Sequence, residues 1–371
     1  MAAQALHLSW YNPVQVTFGN GTLAHLPKDV PLVVLIDANA VPSSSPLSVQ
    51  IRDHLGSQCI GWVEIKPTLS TLEATYTLSQ SLWPHLTDPA TTLMAIGGGT
   101  TLDMAKVLRF VPPKAPLSIA LSADELATHW RTSHIPKGAA RHPLWLAPST
   151  AGTGSEVTSS ATLWDTHHPA GAAKHAWQPH GGFADRAWID PQLTHSCPVN
   201  VTRDCALDTL SHALEAIWNH RASPPSSALA VQAAQIILDT LPALLASLST
   251  PISTEHTIRL REQMALASWQ AGLAMSQTQT ALAHALSYDL TLNEALPHGH
   301  ACAVWLPMVW RMALGNSHAC DAALAQLELG PEGLAHWLQN LGISPRHATP
   351  DCLATALQSP RGRNFIAAAR H

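Results

Sequence analysis

The sequence predicts an α/β domain built on a parallel sheet over residues 1–190, followed by an all-helical domain over residues 191–371. Three observations predict it. A chain of 371 residues exceeds what one core ordinarily fills, at roughly 150 residues per domain. The first half alternates short apolar runs with helical stretches, the pattern of a parallel sheet covered by helices. After "AWIDPQLTHSCPVN" (187–200) the texture changes to long amphipathic periods, which read as helices. The boundary falls near Pro191, where an extended Asp-Pro step ends the β-rich part.

Taken in order, "PLVVLIDANAV" (31–41) reads as a buried strand that leaves Asp37 at its end. "TTLMAIGGGTTLDMAKVLRF" (91–110) reads as strand, glycine turn and helix, and "HPLWLAPSTAGTGSEVTSSATLWD" (142–165) as a strand running into a loop of small residues. The His- and Gly-rich stretch 165–182 is expected to be an exposed excursion, and "PSSSP" (42–46) and "SPPSS" (223–227) to be loops. Helices are expected over 201–220, 227–247, 257–275, 280–292 and 300–315.

Composition narrows the function classes. Hydrophobic residues make up 46% and charged residues 12%, and no apolar run is expected to approach the roughly 20 residues of a bilayer-spanning helix. The opening "MAAQALHLSWYNPVQV" has neither a basic start nor a sustained apolar stretch, so no secretory signal is expected and a cytoplasmic location follows. A formal charge of -5 without a block of Lys or Arg leaves no electrostatic footprint for nucleic acid or an anionic membrane. A small-molecule partner is favoured. Six cysteines without a CxxC pair read as reduced core or interface thiols rather than a zinc ribbon or disulfide scaffold. Histidines number 22, more than the 20 Lys and Arg together, so a histidine counts only when its spacing singles it out.

Gly97, Gly98 and Gly99 stand where a strand meets a helix. Without Cβ atoms their backbone N-H groups can approach a phosphate at the helix N-terminus; the alternative is a tight turn and nothing more. Asp103 and Lys106 on that helix would be solvated charges without a ligand. Asp37 occupies the place where a nucleotide-binding sheet puts a carboxylate on an adenosine ribose, which would favour NAD over NADP; a turn aspartate is the alternative. "PSTAGTGSE" (148–156) offers further hydroxyls for phosphate or ribose.

In "RDCALDTLSHALEAIW" (203–218), Asp208 and His212 are four apart on a helix and project from one face. A buried carboxylate and imidazole need partners, which a divalent metal would supply, as would their own hydrogen bond. His284 lies on the helix "TALAHALSYDL", and His298 in a Pro-His-Gly turn that ends the next loop. One carboxylate and three imidazoles suit Fe(II) or Zn(II) better than Mg or Ca.

Read together, "FGNG" (18–21), "GGGTTLDMAK", "PSTAGTGSEVT", "AWIDPQL", "LDTLSHALE" and "HALSYDL...PHGHA" resemble, in order and spacing, the iron-containing (group III) alcohol dehydrogenase family from about residue 13 to 345. The resemblance implies the dehydroquinate synthase-like architecture, a dinucleotide-binding α/β domain and a helical domain with NAD(P) and a metal in the cleft between them, and a homodimer. It implies Asp208, His212, His284 and His298 as metal ligands. Gly97, Gly98, Gly99 and Thr100 would surround the pyrophosphate, with Asp103 and Lys106 nearby. Thr150, Thr153 and Ser155 would form the second cofactor loop, and Asp37 would match the position associated with NAD preference. Thr100 replaces the family's serine and keeps the hydroxyl.

The implied activity is NAD-linked interconversion of a small aldehyde and its alcohol. Where the family commonly has a histidine four residues after the third ligand, this chain has Tyr288. An ordinary tyrosine is a poor base at neutral pH but can donate a hydrogen bond to the substrate; the alternative is that it fills space. "HALSY" with "PHGHAC" is similar to a narrower branch, the phosphonoacetaldehyde reductases, for whose dianionic substrate Lys174, His300, His175, Arg131 and His129 are candidates by placement. Two other readings are a general short-chain alcohol dehydrogenase and a dehydroquinate synthase-like, NAD- and zinc-dependent lyase. The lyase calls for more Lys and Arg and typically for Glu at position 208.

Overall fold

A computed structural model describes residues 8–113, 122–168, 173–249 and 255–370. Of the opening stretch from which no secretory signal is expected, residues 1–7 lie outside the described residues. The strands are β1 (Gln15–Phe18), β2 (Leu32–Asp37), β3 (Cys59–Ile65), β4 (Thr92–Gly97), β5 (Phe110–Val111), β6 (Ala140–Arg141), β7 (Leu144–Pro148), β8 (Ala161–Asp165), β9 (Ala173–Trp177) and β10 (Arg186–Ile189). Among them run α1 (Pro46–Leu55), α2 (Leu72–Leu82), α3 (Gly99–Leu108) and α4 (Ala123–Arg131). Then follow α5 (Val199–Ile217), α6 (Pro224–Leu248), α7 (Glu255–Thr278), α8 (Leu282–Asn293), α9 (His298–Ala303), α10 (Leu306–Ala313), α11 (His318–Ala325), α12 (Gly330–Asn340) and α13 (Pro350–Gln358).

The chain divides into two compact units, one of Val14–Thr202 with Leu244–Ala265, the other of Arg203–Ala243 and Leu266–His371 with the N-terminal residues up to Pro13. In the first unit six strands form a sheet in the order β1-β10-β7-β4-β2-β3, parallel throughout. Strands β2, β4 and β7 are buried at every residue, as near-continuous apolar strands covered on both faces must be. Alternate residues feed two cores. Val33, Leu35, Leu93, Ala95, Leu144 and Leu146 enter one, while Leu32, Val34, Ile36, Met94, Ile96, Trp145 and Ala147 enter the other. Strand order reverses between β2 and β4, whose carboxyl ends carry Asp37 and Gly97, and such a switch point is where an open α/β sheet binds ligands. The FGNG turn is tied to the sheet by Asp190, whose carboxylate accepts from Gly21 N at 3.1 Å and Leu23 N at 3.3 Å.

Three local expectations are corrected. The stretch 165–182 is not simply an exposed excursion: β9 pairs antiparallel with β8 and drives Trp177, 1% exposed, into the core beside Phe110, although residues 169–172 lie outside the described residues. "SPPSS" opens α6, because proline is tolerated in a first helical turn, where its missing N-H has no partner to lose. The single helix expected over 300–315 is two, α9 and α10. Pro307 has no N-H to give Ala303 O, and its ring crowds that carbonyl.

The expectation that no apolar run approaches membrane-spanning length is also corrected. By length and composition α6 could cross a membrane. Its polar groups are bonded to other helices of the same unit: Gln232 Oε1 accepts from Gln270 Nε2 at 2.7 Å, Gln235 Nε2 donates to Gln326 O at 2.9 Å, and Leu238 O accepts from Trp337 Nε1 at 3.2 Å. These bonds join α6 to other parts of the helical unit.

Candidate functional site

In the sheet unit the glycine turn packs against the loop after β7. A Cβ on Gly97 would stand 2.6 Å from Thr101 Cβ and 2.9 Å from Asp37 Cβ, and one on Gly99 would stand 2.5 Å from Thr153 Cγ2. Both glycines are therefore required by the protein's own packing. Gly98 differs: its backbone is extended, and a Cβ there would make ordinary contact with Thr150 at 3.4 Å. Gly98 caps α3 without a side-chain hydrogen bond, and no acidic residue occupies the first turn, which leaves the positive end of that helix suited to an anion. Thr100, Thr150 and Thr153 are half-buried around this turn. Asp37 accepts from Asn39 N at 2.9 Å; burial raises its carboxyl, while N-H groups of Asn39, Ala40 and Gly98 pull the other way.

Asp103, Lys106 and Ser155 are brought to the same region and face inward, so Asp103 and Lys106 are not the solvated charges expected in the absence of a ligand. Lys106 is fully buried and donates to Ser160 O at 2.7 Å and Thr158 Oγ1 at 3.3 Å. Asp103 accepts from Ser155 Oγ at 2.6 Å and Thr162 N at 2.7 Å. These three side chains brace the two loops. Burial brings Lys106 down to about 8 and raises the neighbouring Glu156, 2% exposed, to about 7. A carboxyl whose folded pKa is raised contributes stability that is full below its ordinary 4.5 and lost as pH rises through about 7. Thermal unfolding at pH 5 and pH 8 is expected to show a smaller pH-dependent loss of Tm for Glu156→Gln than for wild type; equal losses would remove Glu156 from the account.

In the helical unit α5 carries Asp208, His212 and Glu215 at i, i+4 and i+7, on one face. Glu215, fully buried, accepts from Ala281 N at 2.6 Å and His284 N at 3.1 Å. It thereby caps α8, whose own N-cap residue Ala281 provides no side-chain bond. The same carboxylate meets His284 Nδ1 at 2.7 Å, which turns Nε2 toward His212 Nε2 at 3.1 Å and Asp208 Oδ1 at 3.6 Å. His212 Nε2 lies 3.7 Å from Asp208 Oδ1, and its ring stacks on His284 at 4.7 Å between centroids.

His298 is the first residue of α9 rather than the end of a loop. It arrives because Gly299 has no side chain: a Cβ there would lie 1.9 Å from Asp204 O and 2.7 Å from Asp208 N. The glycine of Pro-His-Gly is thus a close contact between α9 and α5. The His298 ring stands edge-on to His284 at 5.2 Å between centroids. Donor atoms of Asp208, His284, His298 and Cys302 all fall within 4.8 Å of one another.

The donor set fits a divalent cation. Asp208 is 5% exposed, and its Oδ1 has no hydrogen-bond partner, a costly state for a buried carboxylate oxygen. With His284 Nδ1 hydrogen-bonded to Glu215, two Nε2 atoms face each other and that oxygen, an arrangement a cation satisfies. Burial alone would raise the Asp208 carboxyl, but His212, His284 and His298 hold it well below the usual range. Burial disfavours a charged His284, yet Cys302, Glu215 and Asp208 push it well above 6.5.

The remaining candidates are placed elsewhere. Tyr288, half-buried and one helical turn beyond His284, has the Arg361 guanidinium 5.4 Å from its ring centroid. Burial raises its phenol, with Arg361 and His284 opposing. His300 is half-buried, within electrostatic reach of Asp204, Arg203 and Arg346, and is not among the clustered donors. Lys174 belongs to the sheet unit, its Nζ 5.3 Å over the Trp164 ring, and Arg131 is paired with Asp165 at 2.7 Å. Sequence reasoning missed Glu215, Cys302 and Arg361. The i, i+4 rule that singled out Asp208 and His212 would have found Cys302 from His298.

A parallel sheet with a glycine turn at its switch point, together with a carboxylate-imidazole cluster on separate helices, defines the class of metal- and nucleotide-dependent oxidoreductases. The chain matches the family model for iron-containing alcohol dehydrogenase over residues 13–191 and the model for the C-terminal part of that family over residues 202–340. It belongs to the iron-containing alcohol dehydrogenase family, whose members are oxidoreductases acting on alcohols and aldehydes. It is similar to 1-propanol dehydrogenase PduQ of Salmonella typhimurium, 29% identical over 81% of this chain and 72% of that one. It is also similar to long-chain-alcohol dehydrogenase 1 of Geobacillus thermodenitrificans, 36% identical over 58% and 50% respectively. Two solved structures share the fold. One is sulfoacetaldehyde reductase from Bifidobacterium kashiwanohense in complex with NAD+, with TM-score 0.81, 22% identity and coverage of 98% of this chain and 95% of that one. The other is the iron-containing alcohol dehydrogenase of Thermotoga maritima, with TM-score 0.73, 24% identity and coverage of 96% and 94%.

Proposed function

We propose that this oxidoreductase is a metal-dependent, NAD-linked reductase of a small anionic aldehyde, with phosphonoacetaldehyde, reduced to 2-hydroxyethylphosphonate, as its substrate. The carrying observation is the unpartnered, buried Asp208 Oδ1 facing the Nε2 atoms of His212 and His284. Asp208, His212, His284 and His298 would hold Fe(II) or Zn(II). The bound cation supplies Lewis acidity at the carbonyl oxygen and the bound nicotinamide supplies hydride.

The chain's own residues provide position and charge. Glu215 fixes the ring of His284 with Nε2 inward. The α3 N-terminus at Gly98–Thr100 would receive the pyrophosphate, and the Asp37 charge at the end of β2 would disfavour a 2'-phosphate, hence NAD over NADP. Tyr288, kept as a neutral phenol, donates a hydrogen bond to the substrate, and Arg361 beside it offers a guanidinium to the anionic end.

The glycine turn gives one test. Gly98→Ala is expected to keep the wild-type Tm and to weaken NADH binding by about tenfold or more, because its Cβ would fill space that the packing leaves open. Gly97→Ala should instead destabilise the fold by roughly 1–3 kcal/mol. Thermal denaturation and a fluorescence titration with NADH separate the two; unchanged binding in Gly98→Ala would move the cofactor away from this turn.

NADH oxidation with phosphonoacetaldehyde, sulfoacetaldehyde and propanal tests the substrate. The two anionic aldehydes are expected to exceed propanal in kcat/KM, with phosphonoacetaldehyde first. In Arg361→Ala, KM for the anionic substrates should rise about tenfold, the value of one charge-assisted hydrogen bond, with propanal unaffected. Equal turnover of propanal and phosphonoacetaldehyde would remove the anionic substrate and leave an alcohol dehydrogenase of neutral substrates.

A further inference from the structure

We infer that Cys302 is itself a ligand of the metal, making the donor set carboxylate, imidazole and thiolate and biasing the site toward zinc. The inference rests on the reading of the Asp208 cluster as a metal centre and adds to it a residue that the four-ligand pattern does not contain. Cys302 is fully buried and lies one turn after His298 on α9. Its Sγ is 3.9 Å from His298 Nδ1, and it belongs to the set of four donor atoms that all fall within 4.8 Å of one another. The independent sign of a cation site is Asp208 Oδ1, which belongs to a residue only 5% exposed and has no hydrogen-bond partner.

The spacing suits a shared ion. Zinc bonds imidazole nitrogen at roughly 2.0–2.1 Å and thiolate sulfur at roughly 2.3 Å, so a nitrogen and a sulfur on one zinc at tetrahedral angles lie about 3.6 Å apart. Cys302 Sγ and His298 Nδ1, 3.9 Å apart, come within a few tenths of an ångström of that spacing, and the whole donor set falls within 4.8 Å. On binding, the Cys302 thiol releases its proton to solvent and a sulfur lone pair forms the bond to the metal, with no change of oxidation state. A soft sulfur donor among nitrogen and oxygen favours Zn(II) over Fe(II) beyond their ordinary order of affinity.

X-ray absorption at the zinc edge of the zinc-loaded full chain decides the matter without reference to turnover. The expected result is one sulfur scatterer at about 2.3 Å, absent from Cys302→Ser while zinc remains bound through Asp208 and the histidines. In competition with ferrous ion, Cys302→Ser should lose about tenfold of the zinc preference, the scale on which single residues tune metal sites. A shell of nitrogen and oxygen alone in the wild type overturns the inference and leaves the metal centre intact. A sulfur scatterer that persists in Cys302→Ser overturns it in favour of another thiol. A wild-type chain that takes up no zinc overturns both this inference and the metal centre.

Discussion

Asp208→Ala is expected to purify without a stoichiometric divalent metal and to lose NADH-dependent aldehyde reduction by on the order of a thousandfold or more. The magnitude follows from the several kcal/mol that a Lewis acid contributes at a developing oxyanion, at about 1.4 kcal/mol for each factor of ten. The direction follows from position: among the described residues Asp208 is the one carboxylate whose buried oxygen faces both His212 and His284 without a hydrogen-bond partner. His284→Ala should behave alike, because it removes the imidazole against which His212 stacks and His298 stands. Metal analysis of each variant alongside its rate checks the pair. A variant free of metal with wild-type turnover would contradict the mechanism.

Glu215→Ala is expected to have the second largest effect, although Glu215 is not among the clustered donors. It strips the acceptor from two backbone N-H groups and from His284 Nδ1, all buried. Leaving such a network unpaired costs about 3–5 kcal/mol, and a metal-binding imidazole that loses its orienting carboxylate costs a further 10–100-fold in metal affinity. Burial opposes the charge on Glu215, but His284 and the two N-H groups hold its carboxyl below the ordinary 4.5. This stabilisation is therefore present above that value and fades as pH falls below it. Glu215→Gln keeps one acceptor oxygen and should lie between the two. Thermal denaturation with a metal titration reads both effects, and a Glu215→Ala protein of wild-type stability and affinity would show that α8 is positioned by something else.

Much of this was legible in the sequence because the physics is local. Strands β2, β4 and β7 announce themselves as unbroken apolar runs because parallel strands are buried on both faces. The glycine turn announces itself because only glycine accommodates Asp37, Thr101 and Thr153 so closely. Asp208 and His212 share a helix face by arithmetic. The parts that were not legible depend on partners remote in the chain. Glu215 matters because the start of α8 arrives 66 residues later with bare N-H groups. Lys106 reads as a solvated charge until Thr158 and Ser160 fold over it. Gly299 reads as a turn signal until α9 meets the backbone of α5. The break between α9 and α10 was available from Pro307 and was overridden by the apolar periodicity around it.

The central claim, that a divalent metal held by the Asp208 cluster serves NAD-linked aldehyde reduction, is tested most directly by NADH oxidation with phosphonoacetaldehyde before chelation, after chelation and after reloading with Fe(II) or Zn(II). Activity is predicted to vanish with the metal and to return in proportion to the metal rebound, reaching its plateau at one ion per chain. Undiminished turnover by the metal-free chain would contradict it.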